Sequence, residues 1–174
     1  MVTLAVLAVL VAMVQPAVLP LLEKHRLVGA VEDISGQLQL ARSEALSRND
    51  DIYFNTWVNG VDDTNWAFGF GLNADCDPAD NDPVCELELV DATGINVTTH
   101  RVVAGRNNTH KDIKFTLVSG DGSIHFDPLR GLAELAEFQL ESTGSGAYQI
   151  NIKVSIVGTV EICSPSHTGG YSQC

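Results

Sequence analysis

Basic residues are scarce: Lys and Arg together number 10 against 22 Asp and Glu in 174 residues, a formal net charge of -12. A field of that sign repels phosphate backbones, which argues against nucleic acid as a partner unless a local basic patch exists. Nucleotide chemistry is also without its signature, because no P-loop occurs. Neither G-x-S-x-G nor a comparable nucleophile motif is present, and His25, His100, His110, His125 and His167 are dispersed without metal-ligand spacing. Ser166-His167 falls within a terminal cysteine loop, where a surface role is the simpler reading than a general base. The chain therefore reads as a non-enzyme that needs no cofactor.

C-x-x-C spacing is missing as well. The 4 cysteines fall as two close pairs, Cys76 with Cys85 and Cys163 with Cys174, each enclosing a stretch rich in Asp, Pro, Gly or Ser. Without the short spacing or a His beside the first pair, zinc is disfavoured. The pairs read as two small disulfide loops in an oxidising compartment.

Charge is absent altogether from Met1 to Leu22. About 20 apolar residues suffice for a helix to cross a bilayer core, so 1–22 reads as a transmembrane or filament-core helix. Its candidate lipid- or core-facing residues are Met1, Val2, Leu4, Val6, Leu7, Val9, Leu10, Val11, Met13, Val14 and Pro16. A cleaved signal peptide would carry a basic n-region and a small-residue cleavage site, and a buried core helix of a domain this size would seldom be so long and apolar all round. Pro16 and Pro20 each remove a backbone donor and crowd the preceding turn, which predicts a bend or local loosening there.

From 23 to 50 the pattern turns amphipathic. Leu27, Val31, Ile34, Leu38, Ala41 and Ala45 recur at steps of three and four, the spacing of one helical face, and are the candidate docking residues. Gly29 and Gly36 are weak points, and Asn49-Asp50-Asp51 supplies a polar stop. The remainder, 51–174, switches to short β-branched and aromatic runs: Ile52–Thr56, Trp66–Phe70, Leu87–Val90, Ile113–Leu117, Ser123–Phe126, Glu137–Leu140, Tyr148–Val157 and Thr159–Ile162. Asn59-Gly60, Asp121-Gly122 and Gly144-Ser145-Gly146 punctuate them as turns. The expected fold class is α+β: a long N-terminal helix packed on a small antiparallel β-sandwich.

MVTLAVLAVL at the start, the proline at Pro16 and the helix end ARSEALSRND (Ala41 to Asp50) together resemble the GspH/FimT family of type IV pilin-like proteins, a likeness that continues through Trp66, Phe68 and Gly69 to a last strand ending in Cys163. The resemblance implies a minor pilin or pseudopilin: a structural subunit that primes or caps a type IV pilus or type II secretion pseudopilus. Its partners would be other pilin or pseudopilin subunits, an inner-membrane assembly platform and, for the precursor, a prepilin peptidase. In that family a basic leader and a Phe-Thr-Leu-Ile-Glu-Leu segment precede the Met-Val-Thr found here, and the family's glutamate is one that would be costly unpaired in a bilayer. Lys24 and Arg26 after the apolar run would by themselves hold the domain in the cytoplasm, whereas the cysteines point to an oxidising compartment. A preceding basic leader reconciles the two, with a single pass through the inner membrane, a periplasmic domain, and later a place in the fibre.

Two candidate ligands come with weaker signals. Asp75, Asp77, Asp80 and Asp82 in DCDPADNDPVC gather hard oxygens that suit calcium, although Pro78 and the absence of a suitably placed Gly and terminal Glu break the calcium-loop pattern. Certain FimT-type members bind DNA through a basic stretch before the penultimate cysteine. Here that stretch reads Gly158-Thr159-Val160-Glu161-Ile162-Cys163, without a base. Lys111, Lys114, Arg101 and Arg106 are the remaining positive neighbourhood, so a DNA-binding or surface-binding minor pilin is the alternative, and its mark would be salt-sensitive binding.

Overall fold

A helix of 47 residues, α1 (Val2–Arg48), leads the chain. The computed structural model describes the backbone of residues 2–60, 64–79, 84–90, 96–101, 103–106 and 109–174, and the side chains of 19–60, 64–79, 84–88, 105 and 109–174. The helical backbone runs through Pro16 and Pro20 without a break, so the local unwinding expected there is not found. Each proline removes one N–H, and the bonds on either side of it are enough to carry the helix on. It ends where Asn49 takes a left-handed φ of 55° and Asp50 N–H returns to the Ala45 carbonyl at 3.3 Å.

Ten strands follow among the described residues: β1 (Ile52–Val58), β2 (Trp66–Gly71), β3 (Glu86–Val90), β4 (Asn96–Arg101), β5 (Val103–Arg106), β6 (Ile113–Ser119), β7 (Ser123–Phe126), β8 (Ala136–Ser142), β9 (Gln149–Val154) and β10 (Val160–Cys163). They form one sheet in the order β5-β2-β1-β7, a second in the order β10-β9-β8-β6, and a β3-β4 ribbon, with every strand pairing antiparallel. Alternation does most of the work of specification. In β8 and β9, Phe138, Leu140, Ile150, Ile152 and Val154 turn inward while Glu137, Gln139, Asn151 and Lys153 turn out. The inner faces of the two four-stranded sheets meet through Trp66 and Phe115, whose rings lie 5.7 Å apart, and the apolar stripe of α1 closes the core. The indole N–H of Trp66 is satisfied by the Ile113 carbonyl at 2.8 Å. The fold is α+β, as its periodicities imply.

Strand β2 is buried along its whole length, and the β3-β4 ribbon meets its end: a side chain at Gly71 would collide with the Glu86 backbone. Two elements depart from the sequence reading. The run expected to be a strand from Tyr148 to Val157 ends at Val154, since Ser155–Thr159 makes a tight turn closed by Gly158 at φ 69°. Strands β4 and β5 were not anticipated. Their composition, NVTTHR and VAGR, is too polar or too short to show an apolar alternation.

Candidate assembly surface

Leu27, Val31, Ile34, Leu38, Ala41 and Ala45 are all fully buried, joined by Ala30. They are the seam along which α1 lies on the two sheets, and the side chains beside the seam divide into two flanks. On one flank polar groups tie the helix to the domain. Arg26 pairs with Asp112 at 3.0 Å, Asp33 with His110 at 2.9 Å, and the His110 ring stacks on Trp66 with an interplanar angle of 5°. Near the helix end Arg48 bonds both Glu44 and the Glu88 carbonyl, each at 2.6 Å.

The other flank is covered only part of the way. Its lower part carries the loop closed by the Cys163–Cys174 disulfide. Ser164, fully buried, organises that loop: its hydroxyl donates to the Gln149 carbonyl at 2.7 Å and accepts from Thr168 N–H at 3.0 Å, while its own N–H bonds the Ser172 carbonyl at 2.9 Å. Tyr171 sits beside Glu32, and burial together with that carboxylate pushes its phenol above the usual tyrosine range. Sequence spacing alone pointed to the cysteines but not to Ser164, whose partners are brought in by β9 and the tail.

Farther along the same flank the cover stops. An open groove of about 560 Å³ lies between Gln39, Arg42, Ser43 and Leu46 of the helix and Gly158, Thr159 and Val160 at the start of β10. The Arg42 side chain crosses its floor between two turns. A Cβ on Gly158 would come within 2.9 Å of Arg42 Nε, and one on Gly131 within 3.1 Å; both glycines have positive φ, 69° and 59°. Only glycine combines that backbone with so close an approach. The Gly131 turn is held by Asp127, whose carboxylate accepts from Arg130 N–H at 2.8 Å and Leu129 N–H at 2.9 Å. Those bonds, led by the one from Arg130, keep its carboxyl below the ordinary range. Arg42 Nε is buried and has no acceptor. Nothing in the sequence marked this arginine, because its setting depends on two turns far away in the chain.

Cys76 and Cys85 form the second disulfide, and Asn55 Nδ2 reaches Cys76 Sγ at 2.7 Å and the Asn73 carbonyl at 3.3 Å. Of the calcium candidates, Asp77 accepts from Ala79 N–H at 2.7 Å and Asp75 donates its N–H to Asn73, whereas Asp80 and Asp82 lie outside the described residues. Among the described residues no three His, Cys, Asp or Glu side chains gather as a metal site. Leu19, Leu21 and Leu22 are exposed on the helix before the docked part begins. The bilayer or filament-core candidates Met1, Val2, Leu4, Val6, Leu7, Val9, Leu10, Val11, Met13, Val14 and Pro16 lie outside the residues whose side chains are described, as do Arg101 and Arg106. Among the described residues no helix is long and apolar enough to cross a membrane.

The family model for the Type II transport protein GspH matches residues 30–170, from the middle of the docked helix through both sheets to the terminal loop. The chain belongs to the GspH family. No curated protein matches it in sequence. Among solved structures, the Pseudomonas aeruginosa type IV minor pilin FimU is similar in two crystal forms. The P21 form aligns with a TM-score of 0.52 and 19% identity over 83% of this chain and 92% of that one; the P65 form aligns with 0.48 and 19% over 79% and 93%. The first of these likenesses shows a shared fold, and GspH membership makes the chain a relative of pilin-like structural subunits, neither of which assigns it a chemical reaction.

Proposed function

We propose that this GspH-family chain is a structural subunit that primes or caps the assembly of a type IV pilus or type II secretion pseudopilus. The observation that carries the reading is the division of α1: from Leu27 on it is the spine of the domain core, whereas Leu19, Leu21 and Leu22 are exposed among the described residues. Exposed leucines on a helix that extends beyond its domain are suited to packing against helices of other subunits. In this reading the apolar segment 1–22 resides in the inner membrane, the domain in the periplasm, and the assembled subunit in the fibre. The assembly platform and the prepilin peptidase are partners at the earlier stages. The two disulfides suit an oxidising compartment.

Expression from the native locus, purification from membranes and sheared filaments, and intact-mass analysis before and after reduction test this. The expected result is a chain present in the filament fraction, processed to an N-methylated phenylalanine, that gains four hydrogens on reducing its two disulfides. An unprocessed chain confined to membranes would overturn the proposal.

A further inference from the structure

We infer that the groove between α1 and β10 receives an extended, carboxylate-bearing segment of a different, neighbouring pilin-family subunit, with Arg42 as the counter-charge; this rests on the assembly reading above. Three observations carry it. First, one donor is unsatisfied: Arg42 Nε is buried without an acceptor, although buried N–H groups normally find one, and the half-buried side chain holds its charge at the groove. The facing groups do not supply one. Asp127 is occupied by Leu129 and Arg130, the Glu44 carboxylate by Arg48, and Glu161 stands on the strand face opposite Val160.

Second, the groove is bordered by a free sheet edge. Strand β10 ends its sheet, and Ser155 N–H bonds the Thr159 carbonyl at 3.0 Å, which fixes the alternation. Thr159 and Glu161 therefore direct their backbone groups at β9, and Val160 and Ile162 direct theirs outward. At the next outward position Ser164 N–H is already taken by Ser172, so the terminal loop closes the edge below and leaves it open where the groove lies. An extended segment added there would gain ladder hydrogen bonds from the edge and an ion pair from Arg42. Third, apolar groups lie in and near the groove: Leu46 and Val160 line it, and Leu129, Ile156 and Val157 are exposed on the turns that contain or precede Gly131 and Gly158. A partner with apolar residues flanking its carboxylate fits this chemistry. A second copy would bring a net charge of -12 against another of -12, which disfavours it relative to a less acidic subunit that carries a local carboxylate.

The test is site-specific photo-cross-linking of the full chain in its native host, with p-benzoylphenylalanine placed at Thr159 in one strain and at Leu21 in another. The expected result is a Thr159 adduct whose mapped peptide is an extended acidic segment of another pilin-family subunit. In an Arg42→Gln background its yield should fall by about tenfold, the range for losing one hydrogen-bonded charge partner at an interface, and Arg42→Lys should lose less. The Leu21 adduct should be unchanged in both backgrounds, and unchanged protease resistance of the domain shows that the variants fold. A Leu21 adduct without any Thr159 adduct would overturn this proposal and leave the assembly reading standing. So would a Thr159 adduct that is indifferent to Arg42→Gln, or one that maps to lipid, to a helix or to a second copy of this chain. Silence at both positions would overturn the assembly reading and this proposal with it.

Discussion

The two flanks of α1 face the same domain and are finished differently. One is stitched by Arg26–Asp112, Asp33–His110 and Arg48 with its two acceptors, so its charged groups find partners within the chain. The other is filled by the disulfide loop as far as Tyr171 and then opens onto Arg42, which finds none at its buried nitrogen. The contrast teaches that one side of this helix is finished by its own chain and the other only in part. That leaves the upper part of the second side available for contacts supplied from outside, as the proposed assembly would require.

The comparison can be broken most severely on the stitched side. Trp66→Ala removes the ring that supports His110 and Phe115 and leaves a cavity at the junction of both sheets, with an expected loss of about 3–5 kcal/mol in chemical denaturation. On the other side, replacing Cys163 and Cys174 together by Ser frees the loop, at about 3 kcal/mol for a closure of this length. Hydrogen exchange should then rise along β10 and the tail but not along β1 and β2. Ser164→Ala strands the Thr168 N–H and the Gln149 carbonyl and should cost about 1–3 kcal/mol by the same unfolding assay. Asp33→Asn on the stitched flank weakens a partly exposed pair and should cost about 1 kcal/mol or less.

The smallest effect is a pH response confined to the covered part of the open flank. Tyr171 has a folded pKa above its ordinary value of 10.0, so the neutral phenol is favoured in the folded chain. Its contribution is fully present below pH 10 and is lost as the pH rises through the folded value. A tyrosinate absorbance titration should show a late phase that Tyr171→Phe abolishes. If the late phase persists in that variant, the tail is not packed against Glu32 in solution.

How legible this was in the sequence follows the range of the interactions. The seam from Leu27 to Ala45 could be read because a helix repeats locally, and both disulfides because their partners are close in sequence, 9 and 11 residues apart. Strand β8 announced itself through alternation, whereas β4 did not, since Asn96, Thr98 and Thr99 offer no apolar face. The Ser155–Thr159 turn was read as strand because Ile156 and Val157 continue a β-branched run, and only the structure shows them exposed at the turn. Arg42, Gly131 and Gly158 are the clearest case of what spacing does not reveal. Each is unremarkable alone, and their meaning arises when two distant turns meet the helix.

The uninterrupted helix gives the molecule a mechanical property. At 1.5 Å per residue, 47 helical residues make a rod about 70 Å long, much of it fixed to the domain by a close-packed seam. Tilting the domain by about 5° about its far end would sweep the other end of the rod by about 6 Å, roughly half a helix diameter. A small change of pose where the groove lies is thereby amplified along the helix, to about 4 Å at the exposed Leu19 and more at the leading residues, so that the rod acts as a lever between the two ends of the molecule.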